Sequence, residues 1–316
     1  MPEDDAVALV SGAKAAPAED ENRLAVACYA RAMDHVGTMA IDPSFRWLDR
    51  VILDLHFDAC LFQRGKSPGL WRTDPISVTG PDGLLYRGPP AEEVPGLIGE
   101  VVESLATEDP DTHVVIRAAM AHLNVVSVHP FRDGNGRISR IVQSLVLALD
   151  GLLSWEFASI EEYLGDHTPE YYGALREVQA GSYQPERDAS RWVAFCVDAH
   201  LAQARKRLLQ IKEAAVRWTF LEELAERRGW PERLVIALEQ SLIGGAYRTS
   251  YSMEAEVSPA TASADFRRLR DAGLVKQTGR GRSIRYHATE EFRSQVEAAI
   301  QDGTGKGAPD REHSNA

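Results

Sequence analysis

Residues 129–140 hold side chains whose types and spacing could carry out chemistry. They read His-Pro-Phe-Arg-Asp-Gly-Asn-Gly-Arg-Ile-Ser-Arg in a chain of 316 residues. His129 precedes Pro130, which pushes the histidine backbone away from the α region, so the preceding helix is expected to end there. An imidazole with an ordinary pKa of about 6.5 suits a general base at neutral pH. Phe131 is apolar within a polar loop and is expected to anchor that loop in the core.

The rest of this stretch is suited to phosphate. Gly134 and Gly136 allow backbone N–H groups to converge where the next helix begins, which favours anion binding. Asp133 offers the hard oxygen that Mg²⁺ prefers when phosphates also bind the ion. Arg137 and Arg140 are three residues apart and lie on one helix face, where both can neutralise phosphate. A polar interhelical loop with its own caps is the alternative, but the whole set converges on one task.

The twelve residues resemble the signature of the Fic family, His-Pro-Phe-x-Asp-Gly-Asn-Gly-Arg-x-x-Arg, and match it at all nine fixed positions. The resemblance covers about residues 22–210. It implies a protein adenylyltransferase that needs Mg²⁺ and transfers AMP from ATP to a Ser, Thr or Tyr hydroxyl of a target protein.

The resemblance also implies a role for each motif residue. His129 would deprotonate the attacking hydroxyl, and Asp133 would hold Mg²⁺ against the α- and β-phosphates. Arg137 would contact the β-phosphate side and Arg140 the γ-phosphate. Three residues would supply the anion cradle: Gly134, Asn135 and Gly136.

Two further segments resemble parts of Fic proteins. Residues 75–87 are typical of a β-hairpin and are similar to the family's flap, which aligns a target segment by strand addition. Ile76, Val78 and Leu84 are therefore predicted target contacts, with an ordinary edge hairpin as the alternative. Tyr172 lies in a stretch similar to the tyrosine region near the family's adenine pocket. It is a predicted nucleotide contact unless it is simply a half-buried helix tyrosine.

One expected Fic feature is not visible in the sequence. Many family members carry a helix with the pattern Ser/Thr-x-x-x-Glu followed by Gly or Asn, whose glutamate pairs with the second motif arginine and blocks ATP. The one Glu-Gly or Glu-Asn pair is Glu21-Asn22, and Pro17 stands four residues before the glutamate. Three explanations stay open: an N-terminal shortening, which we favour, a separate inhibitor protein, or an unrestrained enzyme.

The C-terminal part has a different charge from the rest. The segment from Thr261 to His287 contains seven basic and two acidic residues, whereas the whole chain has a net charge of −12. Residues 246–290 read as helix, turn, helix and basic hairpin, which resembles a winged helix-turn-helix. DNA contacts are predicted there, with a protein-interaction or dimerisation module as the alternative. The predicted contacts are Arg267, Arg270, Arg280 and Arg282.

Composition sets the protein class. The chain is 44% hydrophobic and 26% charged, which is typical of soluble globular proteins. Apolar runs fall short of the ~20 residues that cross a bilayer, and a basic leader is not visible, so we expect a cytoplasmic protein without a membrane partner. The three cysteines are widely spaced and are expected to be buried thiols.

Hydrophobic periodicity predicts a mainly helical fold. It comprises a Fic-type helical domain with a β-hairpin flap, helical linkers and a small winged helix-turn-helix domain. The expected division is a frayed segment over 1–21, the catalytic domain over 22–210, a helical linker over 211–245, the winged domain over 246–290, and a helix end with a disordered tail over 291–316. Helices are predicted over 22–40, 44–61, 91–106, 111–128, 138–149, 158–165, 168–181, 187–214, 216–228 and 231–243. Ser44 and Asp111 are predicted as N-caps.

Two other functions compete with protein adenylylation. One is a DNA-binding transcriptional regulator whose Fic domain acts as a sensor or is nearly silent. The other keeps the site but removes AMP or transfers a different phosphate-containing group. Self-modification, a homo-oligomer and DNA are left open as partners.

Overall fold

A computed structural model describes residues 18–80, 83–107, 109, 111–151 and 160–305. The chain divides into two compact units, residues 1–203 and 204–316. The fold is mainly helical, as the sequence predicts. The predicted frayed start, hairpin tip and disordered tail lie wholly or largely outside the described residues. In the described part no helix is both long and apolar enough to cross a membrane.

The first unit contains seven helices and one hairpin among its described residues, and the helix α8 begins in it. Their bounds are α1 Ala18–Ile41, α2 Asp49–Cys60, β1 Ser77–Gly80, β2 Gly83–Arg87, α3 Val94–Ala106, α4 Val114–Val128, α5 Asn135–Leu149, α6 Glu161–Asp166, α7 Thr168–Gln179 and α8 Ser190–Arg227. Two of them, α4 and α5, flank residues 129–134 of the motif and pack against each other.

Helix α5 lies at the centre of the first core. Eleven of its fifteen residues are buried, because apolar side chains surround the helix after its first turn. A helix that is hydrophobic on all sides is stable only when other elements cover it. Here α1, α2 and α4 supply that cover, so the first turn of α5, with its motif residues, has a fixed position.

Two predicted helix caps are wrong. The cap position of α2 is Leu48, and Ser44 instead donates to Asp42 Oδ1 at 2.7 Å in the preceding turn. The cap of α4 is His113, whose Nδ1 accepts from the Val115 N–H at 3.2 Å, while Asp111 precedes the helix. Short polar side chains serve turns as well as caps, so composition alone did not separate the two roles.

The predicted hairpin is present as β1 and β2. The strands pair antiparallel, with Val78 opposite Tyr86, and a bulge follows Val78. The end of β2 is fixed by a second backbone contact, in which the Arg87 N–H donates to Gly181 O at 3.0 Å. The hairpin therefore has its second strand joined to the segment after α7.

The second unit has its own core. Its elements are the later part of α8, then α9 Leu234–Ile243, α10 Arg248–Glu254, α11 Pro259–Asp271, β3 Val275–Thr278, β4 Arg285–Ala288 and α12 Glu290–Gly305. The two helices predicted over 187–214 and 216–228 are one continuous helix, since neither Gly nor Pro interrupts residues 211–220. Ser258 caps α11, with its side chain accepting from the Thr261 N–H.

The order α10, α11, β3 and β4 is the helix, turn, helix and hairpin expected over residues 246–290. Ala246 adds a bridge to Tyr286 on β4. The core of this unit draws on residues from 221 to 296, so side chains of the expected linker pack with those of the expected terminal domain. The subdivision at residue 246 remains a prediction.

Candidate functional site

His129 ends α4 in the left-handed conformation. Its φ of 53° and ψ of 57° lie outside the right-handed α region, so the helix ends before Pro130 as predicted, but in the left-handed region and not in the extended one that proline favours for the preceding residue. The His129 N–H still donates to Val125 O at 3.1 Å, which closes the last helical turn. The imidazole is thus held at a helix end, where the motif loop (residues 129–134) begins.

The hydrogen bonds of His129 select the tautomer that a base needs. Nδ1 lies 2.9 Å from Val126 O, and a carbonyl only accepts, so Nδ1 carries the proton and Nε2 keeps its lone pair. Burial lowers the pKa of His129 below its usual value. The ring is therefore neutral at physiological pH and can take a proton through Nε2.

Asn135 clamps the motif loop. Its Oδ1 accepts from the Phe131 N–H at 2.9 Å and its Nδ2 donates to Phe131 O at 2.8 Å. Phe131 is fully buried, which confirms its expected anchoring role. The Asn135 side chain thus holds the loop, and its backbone N–H is what remains for the predicted anion cradle.

His56, which the sequence analysis did not single out, also holds the motif loop. Its Nδ1 accepts from the Gly69 N–H at 2.9 Å, so Nε2 carries the proton and donates to Asp133 O at 3.0 Å. The ring stacks on Phe131 with a centroid distance of 3.5 Å. Burial lowers the pKa of His56 to about 4, which keeps the ring neutral. A lone histidine in a predicted helix gives no sequence signal for this role.

The packing around residue 134 requires a glycine. Its φ is +80°, and a Cβ at this position would run into Cys60 Sγ and the His56 ring. Only glycine satisfies both the backbone and the space. Cys28, Cys60 and Cys196 are all buried free thiols, as expected.

Arg72 is the second residue that sequence reasoning missed. It is 2% exposed, and its guanidinium donates to backbone carbonyls: His129 O at 2.8 Å, Pro89 O at 2.6 Å and Asp74 O at 3.0 Å. Its own N–H donates to Pro130 O at 2.9 Å. Burial lowers its pKa from the usual value. One side chain thereby ties the end of the hairpin to the motif loop.

The first turn of α5 presents the expected anion site. The amides of Asn135, Gly136 and Arg137 have no intrahelical acceptor, because the first N–H groups of any helix lack one. The positive end of the helix dipole lies at the same place. A Cβ added at Gly136 would lie 3.3 Å from Nη1 of Arg140, a tight contact that the arginine side chain would have to relieve by moving.

Asp133 fits the Mg²⁺ role in its chemistry. Its Oδ1 accepts from the Gly134 N–H at 2.6 Å and lies 3.7 Å from Arg137 Nη2, and the side chain is 41% exposed. No group of three or more His, Cys, Asp or Glu in the described ranges could hold a metal ion. A single accessible carboxylate suits an ion whose other ligands are phosphate and water.

The two motif arginines have different surroundings. Arg137 donates to Ala59 O at 3.2 Å and to Gln63 Oε1 at 3.0 Å, which fixes it against the end of α2. Arg140 donates through Nε to Oε1 of Glu161, the first residue of α6, at 2.5 Å. The two side chains therefore contact different elements, Arg137 the end of α2 and Arg140 the start of α6.

The other predicted contacts are spread more widely. The hairpin ends close to His129, since the Tyr86 and His129 ring centroids are 6.4 Å apart and Tyr86 Oη donates to Ser127 O. Ile76 and Val78 are half-buried and Leu84 is exposed. Tyr172 is 56% exposed, while its neighbour Tyr171 is buried.

The predicted DNA contacts belong to the second unit. Arg267, Arg270 and Arg280 are exposed and are called the basic face below. The side chain of Arg282 lies outside the description. Of the two acidic residues in this segment, Asp265 is buried and bound by Arg233 at 2.8 Å and by Tyr251 Oη at 2.8 Å. Its charge is therefore neutralised internally.

The part of the chain that contains the motif matches a known family of sequences. Residues 47–147 match the sequence model of the Fic/DOC family, so the chain contains a domain of that family. A crystal structure of a Fic family protein from Desulfovibrio desulfuricans G20 superposes on this chain with a TM-score of 0.51 and 21% sequence identity. The superposition includes 92% of this chain and 82% of that protein. That likeness concerns the fold.

Curated relatives carry the name protein adenylyltransferase. A probable protein adenylyltransferase of Aquifex aeolicus (strain VF5) is 35% identical over 100 residues, which are 32% of this chain and 28% of the relative. Protein adenylyltransferase Fic of Nematostella vectensis is 32% identical over 176 residues, 54% of this chain and 38% of the relative. The chain thus spans about a third of the length of these relatives.

Proposed function

We propose that the protein is an adenylyltransferase that moves AMP from ATP to a Ser, Thr or Tyr hydroxyl of a target protein. One observation carries the proposal: the Nδ1 contact of His129 leaves Nε2 available as a base, and the loop that begins at His129 leads into the first turn of α5, whose amides lack intrahelical acceptors. The names of the relatives support the same reaction. ATP is the substrate, and Mg²⁺ is the ion that Asp133 is chemically suited to hold.

In the proposed reaction the base, the helix amides and the two motif arginines each have one role. His129 Nε2 takes the proton of the target hydroxyl as its oxygen attacks the α-phosphorus of ATP. A new phosphorus–oxygen bond forms, the bond to the β-phosphate oxygen breaks, and pyrophosphate leaves. The helix amides and Arg137 stabilise the charge that develops on the phosphates, and Arg140 holds the γ-phosphate. Bound Mg²⁺ would add neutralisation of the leaving pyrophosphate.

The hairpin is proposed to align the target. Within the described ranges β1 pairs with β2 alone, so its outer edge offers unpaired backbone groups to an extended segment. Ile76, Val78 and Leu84 would contact the side chains of that segment. Because Arg72 ties the hairpin end to His129 O, an aligned hydroxyl would lie at a fixed distance from the base. Tyr172 remains a proposed contact of the adenine.

Intact-mass analysis after incubation with ATP and Mg²⁺ tests the proposal. The full chain serves as its own target in this experiment, so self-modification is measured directly. The unmutated protein and a His113→Ala control should gain one AMP, and His129→Ala should not. If His129→Ala still gains one AMP, His129 is not the base. If no protein gains mass although ATP binding is measurable, the result favours the regulatory function described below.

A second candidate function is DNA binding, in a transcriptional regulator whose Fic domain acts as a sensor. It is favoured by the internal neutralisation of Asp265, which leaves the basic face unopposed by that carboxylate. Fluorescence anisotropy with duplex DNA should show affinity that falls as salt rises. The double variant Arg267→Ala and Arg270→Ala should weaken binding, while Arg227→Ala in the same unit should not. Binding that ignores both salt and the double variant contradicts this function.

A further inference from the structure

A depression on the first unit lies between the motif loop and the start of the hairpin, and the proposed reaction does not use it. Its volume is about 400 Å³, and its lining includes Lys66, Asp74, Ile76 and Arg132. Lys66 belongs to the short 3-10 helix Arg64–Lys66, which follows α2. Asp74 and Ile76 precede β1, and Arg132 lies in the motif loop. Three separate segments of the chain thus meet around one space.

The side chains around this depression are mainly basic. Lys66, Arg72 and Arg132 carry positive charge, and Asp74 carries negative charge. The guanidinium of Arg72 is committed to backbone carbonyls. Lys66 and Arg132 are exposed and therefore provide the charge that an incoming group can reach. Such a pair of cations attracts a carboxylate.

Both of these cations keep donors for such a group. Arg132 Nη2 lies 2.7 Å from Asp74 Oδ2 and 3.4 Å from Thr73 Oγ1, and its Nε and Nη1 have no partner among the described residues. Lys66 forms no ion pair within the same part of the chain. Because the pair of Arg132 and Asp74 is exposed, it is weak, and an arginine has donors for a second carboxylate.

The depression has a fixed place relative to His129. The Arg72 guanidinium binds the carbonyls of Asp74 and His129 at 3.0 Å and 2.8 Å. Gly88 provides a second link, since a Cβ added there would lie 2.7 Å from Ile76 Cγ2 and 3.7 Å from His129 Cβ. A segment that lies along the hairpin with its hydroxyl at His129 therefore has a neighbouring residue beside the depression.

We propose that Lys66 and Arg132 form a subsite for an acidic side chain of the target protein, one that lies close in sequence to the modified hydroxyl. The proposal rests on the proposed function and names the class of target segment that the site takes. Pairing with β1 would align the segment through its main chain, and side-chain subsites such as this one would choose among sequences. A basic residue at the same position is repelled, so charge determines the choice of target. Lys66 and Arg132 are specificity-determining residues and take no part in the transfer itself.

Labelling of a peptide library tests the proposal. The full chain is incubated with Mg²⁺, ATP and peptides that carry one Ser, Thr or Tyr between randomised positions, and the peptides that gain AMP are sequenced by mass spectrometry. Asp and Glu should be enriched about fivefold at one fixed position, the size of effect that an exposed ion pair gives. Lys66→Glu should abolish this enrichment. Arg132→Gln should abolish it as well, because Asp74 then repels a carboxylate without a neighbouring cation.

Arg64→Glu is the matched control. It makes the same change of charge in the same 3-10 helix, and Arg64 does not line the depression. This variant should keep the preference for Asp and Glu. If all three variants keep the preference, other residues read the segment and the proposal is overturned. Affinity for ATP, measured by calorimetric titration, should stay within about twofold in Lys66→Glu, since one exposed charge away from the nucleotide has a small effect. A larger loss would mean that Lys66 serves the nucleotide and would also overturn the proposal.

The unmutated protein separates this proposal from the proposed function. If it transfers AMP to peptides without a preference for Asp or Glu, the proposed function stands and the subsite is overturned. The same conclusion follows if the chain labels itself but modifies no peptide, because the site then reads no short segment. If AMP is transferred neither to peptides nor to the chain itself, the proposed function fails and the subsite fails with it.

Discussion

The motif loop and the basic face are held in opposite ways. The motif loop is fixed by buried side chains that bind its backbone carbonyls, namely Arg72, His56 and Asn135. The arginines of the basic face project from α11 and the β3–β4 connection into solvent. Arg270 Nε lies 3.8 Å from Asp271 Oδ1. This ion pair is weak because both side chains are exposed to solvent.

The difference between the buried motif loop and the exposed basic face shows how much the catalytic and the DNA-binding assignments depend on fixed geometry. A reacting base must be held within a fraction of an ångström, so its support is buried and polar. A surface that meets phosphate backbones needs charge more than fixed geometry, so long and mobile side chains suffice. The catalytic assignment can therefore be tested through stability and geometry together, whereas the DNA assignment depends on charge alone.

The largest expected effect comes from Arg72→Ala. The change removes the donor from the carbonyls of His129, Pro89 and Asp74, at about 1–3 kcal/mol for each of these groups that water cannot reach. We expect the free energy of unfolding of the first unit to fall by about 4 kcal/mol, measured by urea denaturation of the full chain. Arg132→Ala, which breaks an exposed ion pair with Asp74, should cost less than about 1 kcal/mol. Equal effects would contradict the central role of Arg72.

Acid should destabilise the first unit next. Burial lowers the pKa of His56 from 6.5 to about 4, so the unfolded chain takes up this proton first as the pH falls. The stability from neutral His56 is complete above pH 6.5 and is lost as the pH falls toward about 4. At 1.36 kcal/mol per pKa unit the loss is about 3 kcal/mol.

The control for this pH dependence is a pair of histidine variants. His56→Asn should flatten the fall in the free energy of unfolding between pH 6.5 and about 4. His113→Asn, at the exposed N-cap of α4, should leave the slope unchanged. A slope that is the same in all three proteins would show that other groups cause the acid sensitivity.

Asn135→Ala should have an intermediate effect. It leaves both the N–H and the carbonyl of buried Phe131 unpaired, so we expect a loss of about 2 kcal/mol in the free energy of unfolding. ATP affinity should fall in parallel, because the amides that open α5 lose their fixed position. Asn135→Asp keeps the acceptor for the Phe131 N–H and should retain more of both quantities. Retention of full ATP affinity by Asn135→Ala would show that the clamp is dispensable.

The smallest effect is expected on the basic face. Arg267→Ala removes an exposed side chain and should change the free energy of unfolding by less than about 0.5 kcal/mol. The same variant should weaken binding to duplex DNA if the second function is correct. A large loss of stability would show that Arg267 supports the fold and would remove the contrast with the motif loop.

The sequence allowed a prediction for the contiguous part of the candidate site but none for the distant residues that hold it in place. The motif lies within twelve residues, and its chemistry is local, so His129, Asp133 and both arginines could be assigned roles before the fold was known. His56 and Arg72 act across 77 and 57 residues of chain, and contacts at such distances depend on the packing of α2 and the hairpin. Helices were predicted from periodicity, whereas the caps Ser44 and Asp111 failed because turns use the same residues.

The most direct test of the account is transfer from ATP labelled at the α-phosphate or at the γ-phosphate, with Mg²⁺ and the full chain. The account predicts that the α-label becomes attached to protein, that the γ-label leaves with pyrophosphate, and that His129→Ala abolishes the attachment. Attachment of the γ-label instead, or α-label transfer that persists in His129→Ala, would contradict the proposed reaction and its base.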